Sequence, residues 1–160
     1  MLTEGPTESA GGPRRNDKET LAREYARRDD AYWGIEFDEI HGYSHFRSNG
    51  YGGTQCTGFA CAILERLPNR TRVYGFLSEE NPTSAIAQAA GGHDFAVIDD
   101  RFIVDPWLGE FSCPLAELED CDQQVFDLHC AQDALQVQRL YGLRAHWKEI
   151  TAQLCKGSAN

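Results

Sequence analysis

Residues 91–107 read GGHDFAVIDDRFIVDPW, and this stretch decides the fold because two apolar runs flank a pair of acidic residues. The runs at 93–98 and 101–105 are short and rich in β-branched and aromatic residues, which is typical of strands. Asp99 and Asp100 between them are typical turn residues, because Asp side chains hydrogen-bond to the local backbone. The stretch therefore predicts a β-hairpin that follows a Gly-Gly loop.

The length of the hairpin loop decides which side chains share a face. With an odd loop such as residues 98–100, Val97 pairs with Arg101, and His93 lies opposite Asp105 on one face. With a strict two-residue turn, the imidazole and the carboxylate lie on opposite faces. A carboxylate beside an imidazole fixes its tautomer and stabilises the imidazolium, so a catalytic pair requires the odd loop or a bulge. The competing carboxylates are Asp94, Asp99 and Asp100, of which the last two are more simply turn residues.

Residues 51–67 read YGGTQCTGFACAILERL and predict an apolar helix that is entered through a glycine-rich loop and ends before Pro68. Cys56 falls in the first turn of this helix, where unpaired amides and the helix dipole favour the nucleophilic thiolate. Cys61 lies deeper in the same helix, so we expect it to pack in the core. The predicted apolar face consists of Phe59, Ala60, Ile63, Leu64 and Leu67.

The rest of the chain predicts helices around one further strand. We expect helices at 17–33, 82–90 and 114–118, the second opened by Pro82 and ended by Gly91-Gly92, and a strand at 71–77. The spacing at steps of three and four predicts one apolar stripe on a C-terminal helix, with Gly142 as a residue that could break it; the stripe consists of Leu140, Leu143, Trp147, Ile150 and Leu154. The composition of residues 1–16 predicts a flexible tail, and we expect residues 17–160 to form a single domain.

Composition and charge narrow the function classes. The 160 residues, 41% of them hydrophobic, suit one compact domain. Fifteen Lys and Arg against 25 Asp and Glu give a formal net charge of −10, which disfavours a nucleic-acid partner. No apolar run reaches the roughly 20 residues of a membrane span, and the first residues lack the apolar region of a secretory signal. We therefore expect synthesis in a cytosol and no membrane partner.

Six cysteines are spread along the chain without a metal-binding pattern. Their spacings include no CxxC pair, and His41 and His45 in the loop at 36–54 lack the Glu of a zinc-binding helix. We expect thiols rather than disulfides, and no metal. The six are Cys56, Cys61, Cys113, Cys121, Cys130 and Cys155.

The segments GGTQCTGFACAIL and GGHDFAVIDDRFIVDPW together resemble the papain-like cysteine hydrolases, over about residues 49–111. In that family a cysteine at a helix start meets a histidine and an Asn or Asp on successive strands. The order Cys56, His93, Asp105 agrees with it, and Trp107 resembles the tryptophan that shields the pair, although simple core packing explains Trp107 equally well. The compact spacing is more similar to the small papain-fold deamidase domains of bacterial toxins and effectors, and to transglutaminase-like enzymes, than to full papain proteases.

The resemblance implies an α+β fold in which an N-terminal nucleophile helix packs on a small antiparallel sheet with flanking helices. It implies a Cys-His-Asp amide hydrolase that needs no cofactor and acts on a protein substrate. A bacterial effector or toxin that deamidates a glutamine side chain is favoured, delivered from the bacterial cytoplasm by a secretion system without a cleaved signal peptide. A cysteine peptidase and a non-catalytic papain-like binding module are the alternatives.

The oxyanion hole is where the chain departs from the family pattern. Papain proteases carry a glutamine several residues before the nucleophile, whereas Gln55 immediately precedes Cys56. Asn49 is a second candidate donor. The backbone N–H of Cys56 at the helix start is the surest donor by geometry, because an oxyanion hole needs donors aimed at the developing charge. Thr57 and Gly58 stand where the family has an aromatic residue.

Overall fold

The computed structural model describes residues 17–25, 55–110 and 123–157, and there the chain is α+β, with helices packed on a five-stranded antiparallel sheet. The helices are α1 (Asp17–Tyr25), α2 (Gln55–Arg66), α3 (Ala85–Ala90), α4 (Trp107–Glu110), α5 (Ala131–Tyr141) and α6 (Thr151–Gly157), with a 3-10 turn at Arg144–His146. The strands are β1 (Thr71–Leu77), β2 (Gly92–Ile98), β3 (Phe102–Val104), β4 (Val125–Asp127) and β5 (Lys148–Glu149).

Some of the predictions lie outside the described residues. These are the tail at 1–16, the first helix beyond Tyr25, the loop at 36–54 with its two histidines, and the helix at 114–118.

Strand β2 is the middle strand of the sheet, whose order is β4-β3-β2-β1-β5. It pairs along its whole length with β1, from Thr71 opposite Ile98 to Leu77 opposite Gly92. On its other edge it pairs with β3. Every residue from His93 to Ile98 is buried, because neighbouring strands and packed elements enclose the strand on all sides. The strand that bears the histidine is therefore held firmly in the core.

The hairpin between β2 and β3 has an odd loop, as the pairing of His93 with Asp105 requires. Ile98 pairs with Phe102, so three residues form the loop, and the first two, Asp99 and Asp100, have φ of 54° and 53°. Asp tolerates this left-handed conformation better than most residues. The predicted register is wrong by two residues, because the loop begins one residue later than expected and Val97 pairs with Ile103. A register shift of two residues leaves each side chain on the same face of its strand, because side chains alternate with a period of two.

Helix α2 and strand β1 occur where the sequence predicts them. Helix α2 begins at Gln55 and packs mainly on β2. Its predicted apolar face is buried except for Leu67, just beyond its end, which is partly buried. Cys61 is only half-buried, so the prediction that it packs fully in the core is too strong.

Helix α3 begins at Ala85 and not at Pro82, so the prediction of its start is wrong. Ser84 is the N-cap: its Oγ accepts a hydrogen bond from the Ala87 amide at 3.0 Å. A serine cap satisfies an amide that lacks a helical partner, which proline at 82 could not do. The helix ends as predicted, at Gly91 with φ of 82°.

The prediction of one C-terminal helix is also wrong. Helix α5 ends at Tyr141, Gly142 has φ of 69°, and the chain then forms the 3-10 turn, β5 and α6. Ile150 is fully buried while Leu143 is 44% exposed, so the predicted stripe is not one face of one helix. Among the described elements, no helix has the length and apolar content to cross a bilayer.

Candidate active site

The imidazole of His93 and the carboxylate of Asp105 form a buried pair. His93 Nε2 lies 2.6 Å from Asp105 Oδ2, and the two side chains are 0% and 2% exposed. Because a carboxylate only accepts hydrogen bonds, Nε2 carries the proton in this contact. The structure thus confirms that the two residues share a face of the hairpin and meet there, although they are diagonal neighbours instead of directly opposite.

Cys56 lies in the first turn of α2, is 7% exposed and contacts His93. Since Asp105 occupies Nε2, the other ring nitrogen is left for the thiol. No atom lies within hydrogen-bonding geometry of His93 Nδ1 among the described residues, and apo active sites commonly show such loose contacts. The three residues predicted as a triad are therefore brought together.

The electrostatics of this buried site favour the charged form of the histidine. Burial by itself lowers the pKa of His93, since it disfavours the imidazolium. The charge and hydrogen bond of Asp105, with a smaller contribution from Cys56, outweigh burial and raise the pKa of His93 from 6.5 to about 10. A histidine beside a cysteine in the first turn of a helix is the arrangement that nucleophilic thiol catalysis needs.

Trp107, at the start of α4, covers the imidazole. Its ring centroid lies 4.6 Å from that of His93, and it is 7% exposed. Phe95, which lies two residues further along the same strand, stacks on the imidazole, with ring centroids 5.9 Å apart and 12° between the ring planes. The contact with His93 is the one predicted for a shielding tryptophan, and the burial equally fits core packing.

The competing carboxylates have other partners. Asp94 is buried and accepts a hydrogen bond from Thr57 Oγ1 at 2.6 Å. Asp99 forms a bidentate pair with Arg70 at 2.6 and 2.9 Å, and Asp100 pairs with Arg144. Asp105 is thus the one carboxylate of the predicted four that meets His93.

The Thr57–Asp94 bond ties the two site-bearing elements together. Thr57 follows Cys56 in the first turn of α2, and Asp94 follows His93 in β2. Both side chains are nearly inaccessible, so the short bond between them has no competing water. It fixes α2 against β2, one residue from Cys56 and one residue from His93. The hairpin pattern gives no signal for this bond, because it does not reveal that both side chains are buried.

Sequence reasoning missed Tyr141. Its hydroxyl donates a hydrogen bond to Asp105 Oδ2 at 2.6 Å, and its side chain is fully buried. Burial and the adjacent carboxylate raise the pKa of Tyr141 well above 10, so the phenol stays protonated and remains a donor. Tyr141 follows Leu140 in the predicted C-terminal helix, and nothing in that pattern points to a carboxylate 36 residues away.

Of the candidate oxyanion-hole donors, the structure describes one. Asn49 lies outside the described residues, and so does the side chain of Gln55. The backbone N–H of Cys56 is at the start of α2, where helix amides lack internal partners. Within 17–25, 55–110 and 123–157, no group of three or more His, Cys, Asp and Glu side chains could hold a metal ion, and Cys56, Cys61 and Cys130 are thiols.

No family model, curated protein or solved structure matches this chain. The papain-like resemblance therefore stays a hypothesis, supported by the geometry of the three residues and not by relatives.

Proposed function

We propose that this chain is a papain-like cysteine hydrolase of amide bonds, with Cys56 as the nucleophile, His93 as the general acid and base, and Asp105 as the orienting carboxylate. The observation that carries the proposal is the buried 2.6 Å contact between His93 and Asp105, beside a cysteine in the first turn of a helix. Helix α2 and the hairpin of β2 and β3 supply these groups, and their roles match those of a nucleophile, a base and an orienting group.

The chemistry proceeds in two steps. The Cys56 thiolate attacks the amide carbonyl carbon, and the backbone N–H of Cys56 stabilises the developing oxyanion. His93 gives its Nδ1 proton to the departing amine, so the C–N bond breaks and a thioester remains. Water then attacks the thioester carbonyl while the neutral His93 accepts one of the water protons. The C–S bond breaks, which releases the carboxylic acid and restores the Cys56 thiolate beside the protonated His93.

The favoured substrate is a glutamine side chain of a target protein, and the favoured biological role is that of a bacterial effector or toxin. Two observations support a side-chain amide over a peptide bond. The spacing of the three residues is compact, and Cys56 and the His93 side chain are 7% and 0% exposed. A single side chain needs a narrower opening to such a nucleophile than an extended backbone does.

Competitive alkylation tests the nucleophile without knowledge of the substrate. Cys56 is buried whereas Cys61 and Cys130 are half-buried, so accessibility alone makes Cys56 the slowest of the three toward iodoacetamide. Peptide mass spectrometry should instead find Cys56 labelled fastest, because the proposal makes it the activated nucleophile. The control is His93→Ala, in which iodoacetamide should label Cys56 more slowly than Cys61. Faster labelling of Cys61 in the wild-type protein would show the assignment to be wrong.

A lysate screen then tests the reaction. A cell lysate is incubated with the wild-type protein or, as the matched control, with Cys56→Ala. Deamidation converts Gln to Glu in intact target proteins only in the wild-type sample. New chain ends in that sample would instead indicate a peptidase, and no difference between the samples, together with slow Cys56 labelling, would indicate a binding module.

A further inference from the structure

A single carboxylate oxygen of Asp105 receives two hydrogen bonds. His93 Nε2 and the hydroxyl of Tyr141 each lie 2.6 Å from Asp105 Oδ2. All three side chains are buried, so water does not compete for this oxygen. The ring of Tyr141 also packs against the imidazole, with centroids 5.9 Å apart.

The backbone of Tyr141 is held by side chains from outside its helix. Its carbonyl oxygen accepts hydrogen bonds from Asn81 Nδ2 at 2.7 Å and from Trp147 Nε1 at 2.9 Å. One residue earlier, the carbonyl of Leu140 accepts a bond from Ser84 Oγ at 2.6 Å. Carbonyls at a helix C-terminus lack helical partners, and here buried donors satisfy them. The phenol is therefore presented to Asp105 from a rigid support.

We propose that Tyr141 is a positioning residue of the active site. Its hydroxyl holds the Asp105 carboxylate in the orientation that His93 requires, and it shares the negative charge of that carboxylate. This inference rests on the proposed function, because it takes Cys56, His93 and Asp105 to be a catalytic triad. The bond from Tyr141 restrains Oδ2. Without it, His93, the group that Asp105 has to orient, would be the only side chain among the described residues that bonds to this oxygen.

The sharing of charge has a measurable consequence. An oxygen that accepts two hydrogen bonds is a weaker acceptor toward each donor than one that accepts a single bond. Loss of the phenol hydroxyl leaves His93 as the only side-chain donor to Oδ2 among the described residues. The Nε2–H bond should then become stronger, and the imidazolium, which faces Asp105, Tyr141 and Cys56, should lose its proton at higher pH.

The test compares Tyr141→Phe with Tyr74→Phe by NMR of the histidine ring. Tyr74 belongs to the same aromatic cluster, with its ring 5.9 Å from that of Trp147, but its hydroxyl is not bonded to Asp105. In Tyr141→Phe, the Nε2–H proton of His93 should move downfield at neutral pH, and the His93 titration midpoint should rise by about half a pH unit or more. In Tyr74→Phe, both should stay at their wild-type values.

The proposal is overturned if the Nε2–H shift and the His93 titration midpoint are the same in Tyr141→Phe and the wild-type protein. It is also overturned if Tyr141→Phe and Tyr74→Phe change these values equally, because that indicates a general loosening of the aromatic cluster. If Tyr141→Phe does not fold, 3,5-difluorotyrosine at position 141 keeps the ring and the hydroxyl but donates more strongly. It should move the Nε2–H proton upfield, and an unmoved proton overturns the proposal. Both readouts are independent of catalysis, so slow alkylation of Cys56 would refute the proposed function and leave this result standing.

Discussion

The pair formed by His93 and Asp105 should give the protein a specific dependence of stability on pH. The perturbation is Asp105→Asn, made in a Cys56→Ala background because a cysteine thiol in the unfolded chain titrates near pH 8.5, within the same range. Asparagine keeps the shape of the side chain and removes the charge. The comparison of Cys56→Ala with the double variant therefore isolates the effect of the carboxylate on the imidazole.

The magnitude follows from the pKa of His93, which is raised from 6.5 to about 10 in the folded protein. A raised folded pKa adds stability that is fully present below pH 6.5 and is lost as the pH rises through about 10. The slope is at most about 1.4 kcal/mol per pH unit, and the whole interval corresponds to an upper bound of about 5 kcal/mol. Cys56→Ala removes the smaller contribution of the thiol, so the total is expected to stay below this bound.

Urea unfolding between about pH 6 and pH 9 measures this dependence. The free energy of unfolding of Cys56→Ala should fall with rising pH more steeply than that of the double variant, in which burial lowers the His93 pKa with no carboxylate to oppose it. Other titrating groups contribute equally to both proteins and cancel. Parallel curves would show that Asp105 does not hold the imidazolium, and the electrostatic account of the site would be wrong.

Three further predictions concern single variants. Asp105→Asn should reduce turnover less than His93→Ala does, because the histidine transfers protons and the carboxylate only orients it; unchanged turnover in both Asp105→Asn and Asp105→Ala would reduce the triad to a dyad. Cys61→Ala should keep full turnover and lower the free energy of unfolding by about 1 kcal/mol, since it removes a half-buried side chain. Gly142→Ala should cost about 3 kcal/mol or more in urea unfolding, because φ is 69° and the new Cβ would overlap Asn81 Oδ1; a loss below about 1 kcal/mol would contradict this reasoning.

The parts of the site that the sequence predicts are those with a local cause. A cysteine in the first turn of α2 follows from the glycine loop and the apolar spacing after it. The shared face of His93 and Asp105 follows from the parity of the hairpin loop, which an error of two residues leaves intact. The register itself depends on Asp99 and Asp100 both adopting positive φ, a choice that their residue type permits but does not dictate.

The parts that could not be predicted depend on contacts between distant segments. Tyr141 reaches Asp105 because buried donors on other elements fix the end of α5. Strand β4 has three residues, too few for a periodic signal, and its position beside β3 is supported by the bidentate pair of Arg101 with Asp127. The spacing of Leu140, Leu143 and Trp147 fits a helix as well as the broken path that the chain takes.

The central position of β2 has a consequence for how activity would be lost. Amides in the middle of a sheet exchange with solvent only when the surrounding core opens, whereas strand ends and edge strands open in local fluctuations. His93 is carried by the strand that has hydrogen-bonded neighbours on both edges, and Asp105 directly follows the strand beside it. His93 stands near one end of β2, but its side chain and that of Asp105 are 0% and 2% exposed, so separating them requires the core packed around them to open. On heating, inactivation should coincide with cooperative melting, and protein that remains folded should keep its full specific activity.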